Sequence, residues 1–239
     1  MREMVRRFLR QKFGSTGTVL TLLLLALLAC LPLNGGQGFG SIDTVAVLVL
    51  AGGCVSRDAA SGALQMILSR PIRRTEYLAG RYAGILAVFA LFLVCAIAIA
   101  AAANAVLIRL QIGTDPHGFP FGPAGMAAGR AFFAGSLLAA ALLFFSTFLR
   151  GFGDVLAVIL STILLGSAQN LGRLLNKPLL AKIGQIVQEN SAPSVPWEDV
   201  LRGRQVLGEA TGRYVLALAL YWTLAALVFC RREFSYGQE

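Results

Sequence analysis

Charged residues are scarce in this chain: 14% of the 239, against 56% hydrophobic. A soluble domain carries roughly a quarter charged residues, because its surface must meet water. The deficit excludes an ordinary globular exterior, and the mean hydropathy of +0.71 points the same way. Histidine occurs once, at His117 in a Gly/Pro-rich stretch, and no carboxylate falls in the middle of an apolar block. A buried hydrolase needs a nucleophile with a base beside it, so Ser136, Ser146, Ser161, Thr162 and Ser167 have no evident partner. Helical serines of this kind usually bond their own backbone. The four cysteines (Cys30, Cys54, Cys95, Cys230) include no C-x-x-C pair, which argues against both a metal site and a disulfide framework. A G-x-x-x-x-G-K-[ST] phosphate loop is also missing, so the chain is not itself a nucleotide hydrolase of that type.

What the chain does have is long uncharged apolar blocks, for example 82–108 and 131–149. About 20 such residues, rising 1.5 Å each, cross the ~30 Å hydrocarbon core of a bilayer. A central Arg would cost about 3 kcal/mol, whereas each Leu, Ile or Phe gains a few tenths, so excluding charge from these blocks decides insertion. The reading is an all-α integral membrane protein, a single domain over 1–239, with six spans near 16–33, 42–56, 82–108, 126–149, 155–170 and 214–230. Pro32 with Asn34-Gly35-Gly36 ends the first span. Leu27-Leu28-Ala29-Cys30 imitates a lipoprotein cleavage site, but the basic region before it is long and five spans follow, so the first block is expected to stay attached. Asn104, Gln169 and Asn170 are the few mid-span polar candidates.

The formal charge of +9 does not indicate a nucleic-acid partner, because the basic residues sit at span ends and in short loops, where they set topology and meet anionic headgroups. Placing the N-terminus inside puts Arg2, Arg6, Arg7, Arg10, Lys12, Arg57, Arg70, Arg73, Arg74, Arg81, Arg150, Arg231 and Arg232 on one side, 13 of the 21 basic residues. The expected setting is a bacterial plasma (inner) membrane with both termini cytoplasmic. Residues 1–15 read as a basic amphipathic elbow helix lying at the headgroup surface. Residues 171–212 read as an external amphipathic segment with short helices near Pro178 and Pro196. It is a candidate surface for an extracytoplasmic partner.

The loop 57–81 is the most informative stretch. Arg57 to Pro71 reads as a helix with Leu64, Ile67 and Leu68 on one face, stopped by Pro71. Arg73 and Arg74 follow, Thr75 is placed to cap the next helix, and Glu76 lies in its first turn. A short helix held between two spans by tight turns moves only by tilting both. An interfacial helix that merely satisfies the positive-inside rule is the other reading of the same residues.

The run Ser61-Gly62-Ala63-Leu64-Gln65-Met66-Ile67-Leu68-Ser69-Arg70-Pro71-Ile72-Arg73-Arg74-Thr75-Glu76-Tyr77-Leu78-Ala79-Gly80-Arg81 resembles the signature loop of type-2 ATP-binding-cassette permeases. Gly62, Leu64, Leu68, Ser69-Arg70-Pro71, Arg74, Tyr77 and Gly80 carry the likeness; Ala63, Gln65 and Arg81 depart from the usual Thr, Glu and Lys. The resemblance implies a membrane-spanning transporter subunit, with export the expected direction. A second permease subunit pairs with it, and a separate cytoplasmic ATPase pushes on this loop. ATP and magnesium then belong to the partner, and this chain binds no cofactor and is not an enzyme. Leu64, Ile67 and Leu68 are expected to pack into the ATPase, with Arg57, Asp58, Arg70, Arg73 and Arg74 as a polar rim and Gly62 and Pro71 shaping the helix. Two rivals remain: a secondary transporter or channel, which the shortage of mid-span ionisable groups disfavours, and a membrane anchor that passes ATPase-driven motion to an external partner.

Overall fold

The computed structural model describes residues 14, 16–34, 38–39, 41–56, 58, 73–110, 118–149, 153–174, 182, 195, 200 and 208–231. The expected elbow helix, the loop residues 57 and 59–72, and nearly all of 175–207 lie outside them. Among the described residues the structure is helical, with no strand: α1 (Thr16–Leu28), α2 (Cys30–Asn34), α3 (Ile42–Ala51), α4 (Arg74–Arg109), α5 (Phe121–Ser146), α6 (Gly153–Leu174) and α7 (Glu209–Arg231).

Three of these helices, α4, α5 and α7, are long and apolar enough to cross a membrane. The first expected span is interrupted. Pro32 has no N–H to offer the Leu28 carbonyl one turn back, and its ring crowds that carbonyl; the break between α1 and α2 falls at Ala29, just past Leu28. Helical bonds nevertheless run through it, from the Ala29 N–H to the Leu25 carbonyl at 3.0 Å and from the Leu33 N–H to the Ala29 carbonyl at 3.2 Å. The second expected span is shorter than its apolar run. Helix α3 has 10 residues, roughly 15 Å, and stops at a turn over 52–55 rather than continuing to Ser56. The third begins earlier than the hydropathy suggests. Helix α4 starts at Arg74, with Arg73 at the cap position and no side-chain cap bond, so Thr75 lies inside the helix instead of capping it. Its 36 residues make about 54 Å, more than a bilayer core requires, and the polar first turns carry the excess.

Helices α4 and α5 form the centre. α4 packs against α1, α2, α3, α5 and α7, and α5 against α3, α4, α6 and α7. The core between them contains Val47, Leu50, Phe89, Phe92, Leu142 and Leu143, with Phe229 from α7. Phe89 lies fully buried and stacks near-parallel with Phe92 and Phe132 at 6.2 and 6.4 Å. Gly135 of α5 faces that ring: a Cβ there would come within 2.9 Å of Phe89 Cζ and 3.0 Å of Val47 Cγ2. A second tie crosses the bundle where Tyr82 donates to the Ser136 carbonyl at 3.2 Å and Tyr214 donates to the Phe133 carbonyl at 3.1 Å. Ser136 Oγ pairs with Tyr214 as well. The outer faces are leucine-rich, with Leu20, Leu23 and Leu27 on α1, Leu156, Leu160 and Leu164 on α6, and Leu216 and Leu220 on α7 all exposed. An apolar surface this extensive suits lipid, not water.

The α4–α5 contact yields a stability test. Gly135→Ala forces a methyl against a ring that its neighbours hold in place, and overpacking of this kind costs about 1–3 kcal/mol. Gly17 lies in α1 with nothing within 4 Å of an added Cβ, so Gly17→Ala leaves stability unchanged or slightly raised. Thermal unfolding in one detergent should separate the two variants.

Candidate functional site

The two ends of the loop 57–81 meet in the structure. Asp58, just past the broken end of α3, is buried at 3% exposure, and Arg81, two turns into α4, at 8%. They form an ion pair through Arg81 Nη2 and Asp58 Oδ2. Tyr77 lies one turn before Arg81 on the same face of α4, as the i, i+4 spacing dictates. Its hydroxyl donates to Asp58 Oδ2 at 2.7 Å and accepts from Arg81 Nε at 3.3 Å. The guanidinium carbon also stands 5.6 Å from the centroid of the Tyr77 ring. Carboxylate, guanidinium and phenol thus satisfy one another, as buried polar groups must.

From this clamp the ties continue to α7. The Tyr77 ring stacks on Phe229 with centroids 5.6 Å apart and planes 16° from parallel. Arg74 Nη1 donates to the Cys230 carbonyl at 3.0 Å and to the Phe229 carbonyl at 3.3 Å. Both carbonyls fall in the last turn of a helix ending at Arg231, where no intrahelical donor remains and the dipole favours a cation. Arg74 therefore closes the end of α7 while opening α4.

The α5–α6 corner holds the broken end of α3. Gly53, at φ +66°, exposes an N–H that donates to Asp154 Oδ2 at 2.6 Å. The N–H groups of Val55 and Ser56 both donate to Ser146 Oγ, at 3.1 and 3.2 Å. Ser136 and Ser161 bond carbonyls three residues back, as expected of helical serines; Ser146 instead serves another segment.

Of the sequence-predicted site residues, Asp58, Arg73 and Arg74 are described. Arg57, Gly62, Leu64, Ile67, Leu68, Arg70 and Pro71 lie outside the described residues. Arg73 is exposed, one residue before α4 begins. Asp58 differs from expectation: it is buried and ion-paired inside the chain, because Arg81 and Tyr77 supply the polar contacts that an exposed rim would take from a partner or water. Arg74 also spends hydrogen bonds on α7. Sequence reasoning assigned no role in the site to Tyr77, Arg81, Ser146, Asp154 or Phe229. The available signal was an acid at each of two apolar-run boundaries, Asp58 and Asp154, and an aromatic–basic pair at i, i+4. Among the described residues no three His, Cys, Asp or Glu gather as metal ligands, and none of the four cysteines forms a disulfide.

A family model described as ABC-2 family transporter protein matches residues 7–185, three quarters of the chain and the whole of the clamped loop. The chain belongs to that family. It is a membrane permease of an ABC transporter, and its membership implies an ABC ATPase subunit as partner. A comparison with curated proteins gave no match.

The clamp makes a thermodynamic prediction. Removing one member of a buried ion pair strands the other, a cost of about 3–5 kcal/mol, whereas replacing both with apolar residues is often near neutral. Asp58→Leu alone should therefore lower stability far more than Asp58→Leu with Arg81→Met, as read by thermal unfolding of the detergent-solubilised protein.

Proposed function

We propose that this chain forms the translocation path of an ABC exporter and that the loop 57–81 is the lever on which a separate cytoplasmic ATPase acts. The observation that carries this reading is the clamp at the base of that loop. A loop with free ends would absorb a push as slack. Here Asp58, Tyr77 and Arg81 pin its two ends together, and Arg74 with Tyr77 ties the same point to the end of α7. Hydrogen bonds to charged groups contribute roughly 1.5–3 kcal/mol each, so Asp58 and the ends of α4 and α7 shift together when the loop is displaced.

In this reading Leu64, Ile67 and Leu68 seat in the ATPase, with Arg57, Arg70 and Arg73 around them and Gly62 and Pro71 shaping the turn. ATP and magnesium are bound and spent in the partner; this chain catalyses nothing and holds no cofactor. A second permease subunit, the same chain or a related one, completes the path, both termini lie in the cytoplasm, and 171–212 faces outward. A secondary transporter is the weaker reading, because the buried ion pair sits at a helix end and is saturated by its own neighbours instead of lying at the midplane, where ion coupling takes place.

Leu68→Glu puts a charge on the face that docks. We expect the variant to insert normally and to abolish most of the ATPase stimulation seen when wild-type permease and ATPase are reconstituted together. Stimulation equal to wild type would remove the loop from the coupling route.

A further inference from the structure

The second apolar run does not form one helix, and the manner of its break has consequences for coupling. Backbone N–H groups freed within a membrane protein must find partners inside the protein. Here the Cys54 N–H bonds back to the Ala51 carbonyl at 3.2 Å, while the N–H groups of Gly53, Val55 and Ser56 bond to side chains of the α5–α6 corner, Asp154 and Ser146. These acceptors are 0% and 1% exposed, so water does not replace them. Sterics point to the same place. A Cβ on Gly52 would come within 2.6 Å of the Leu48 carbonyl oxygen and 2.7 Å of Val155 Cγ2. The first turn of α6 therefore packs directly on the break, and Gly52 has to be small for it to do so. Asp154 Oδ1 also accepts the N–H of Val155 at 2.9 Å, which fixes the carboxylate in its orientation.

We propose that Ser146 and Asp154 are positioning residues of energy coupling: they socket the broken end of α3 into the α5–α6 corner. Displacement of the loop then carries α3 and α6 as one body, and the break does not act as a free hinge. The proposal rests on the reading of the loop as the ATPase-driven lever. It adds a route that the clamp lacks, since the clamp reaches α4 and α7 while the socket reaches α5 and α6. The chemistry requires acceptors, not a particular charge at position 146, so Ser146→Thr retains the function and Ser146→Ala loses it.

The test uses the full chain in complex with its ATPase in lipid nanodiscs. Spin labels are attached through Val45→Cys and Leu160→Cys, both exposed positions on α3 and α6, with the exposed Cys95 and Cys230 replaced by serine. A second pair, Leu68→Cys with Leu20→Cys, reports movement of the loop against α1. Distances are measured by pulsed electron resonance without nucleotide and with ATP plus vanadate. The expected result is a shift of the loop pair on trapping while the α3–α6 distance stays unchanged. In Ser146→Ala or Asp154→Ala the α3–α6 distance should shift or broaden on trapping, and Ser146→Thr should restore the wild-type pattern. A merely structural role would change the nucleotide-free distances and leave no nucleotide dependence, which would overturn the proposal. An α3–α6 distance that changes on trapping in the wild type would overturn it too. Should the loop pair itself stay still, the lever reading fails first and the socket falls with it; a moving loop with separating helices sinks the socket alone.

Discussion

The ion pair between Asp58 and Arg81 is the constraint on which the rest of this architecture turns. Two charges withdrawn from water carry a desolvation penalty of several kcal/mol each, repaid only when geometry and further hydrogen bonds are good. Tyr77 supplies that repair by donating to the carboxylate, accepting from the guanidinium and lending its ring to the cation. A pair of this kind adds little net stability over a well-packed apolar pair. What it supplies is a fixed point: Asp58 is held against the first two turns of α4, and those turns are bonded to the last turn of α7.

Around this point two helix ends are covered by side chains from other elements. Arg74 covers the terminal carbonyls of α7, and Asp154 and Ser146 cover the N–H groups beyond α3. Each tie crosses between elements distant in sequence, so one end of the bundle is cross-linked by polar contacts. Further in, packing takes over, with the Phe89 stack against Gly135 and the Tyr82, Ser136 and Tyr214 contacts joining α4, α5 and α7. A permease driven from one end benefits from this division. In the proposed function the polar end transmits displacement, and the apolar core tilts as packed rods in lipid.

The helical class and the placement of most apolar blocks were legible in the sequence because hydrocarbon imposes a simple rule on length and charge. α5, α6 and α7 lie close to the apolar blocks read for them. The rule fails where backbone chemistry intervenes. Nothing in the hydropathy of 42–56 marks the break at Gly52-Gly53, because an apolar run reads the same whether or not its N–H groups are bonded within it. The pair of glycines was the local clue. Thr75 looked like a cap by residue type, but the helix starts at Arg74, with Glu76 in its first turn and the Arg74 guanidinium committed to α7. The candidate site was read as a segment, from its apolar face, Pro71 and its basic residues; the family match spans that segment, and residues 59–72 lie outside the described residues. Its inward half was not. Asp58 and Arg81 lie 23 residues apart, and charge patterning treats each as a surface or topology residue until the fold brings them together.

The most direct measurement is photo-cross-linking from a benzophenone amino acid at Ile67, in native membranes that contain the partner ATPase. The expected result is a covalent adduct with that ATPase whose yield changes when ATP is trapped. Adducts with lipid alone, or quenching of the probe by a membrane-impermeant reagent added from outside the cell, would contradict it.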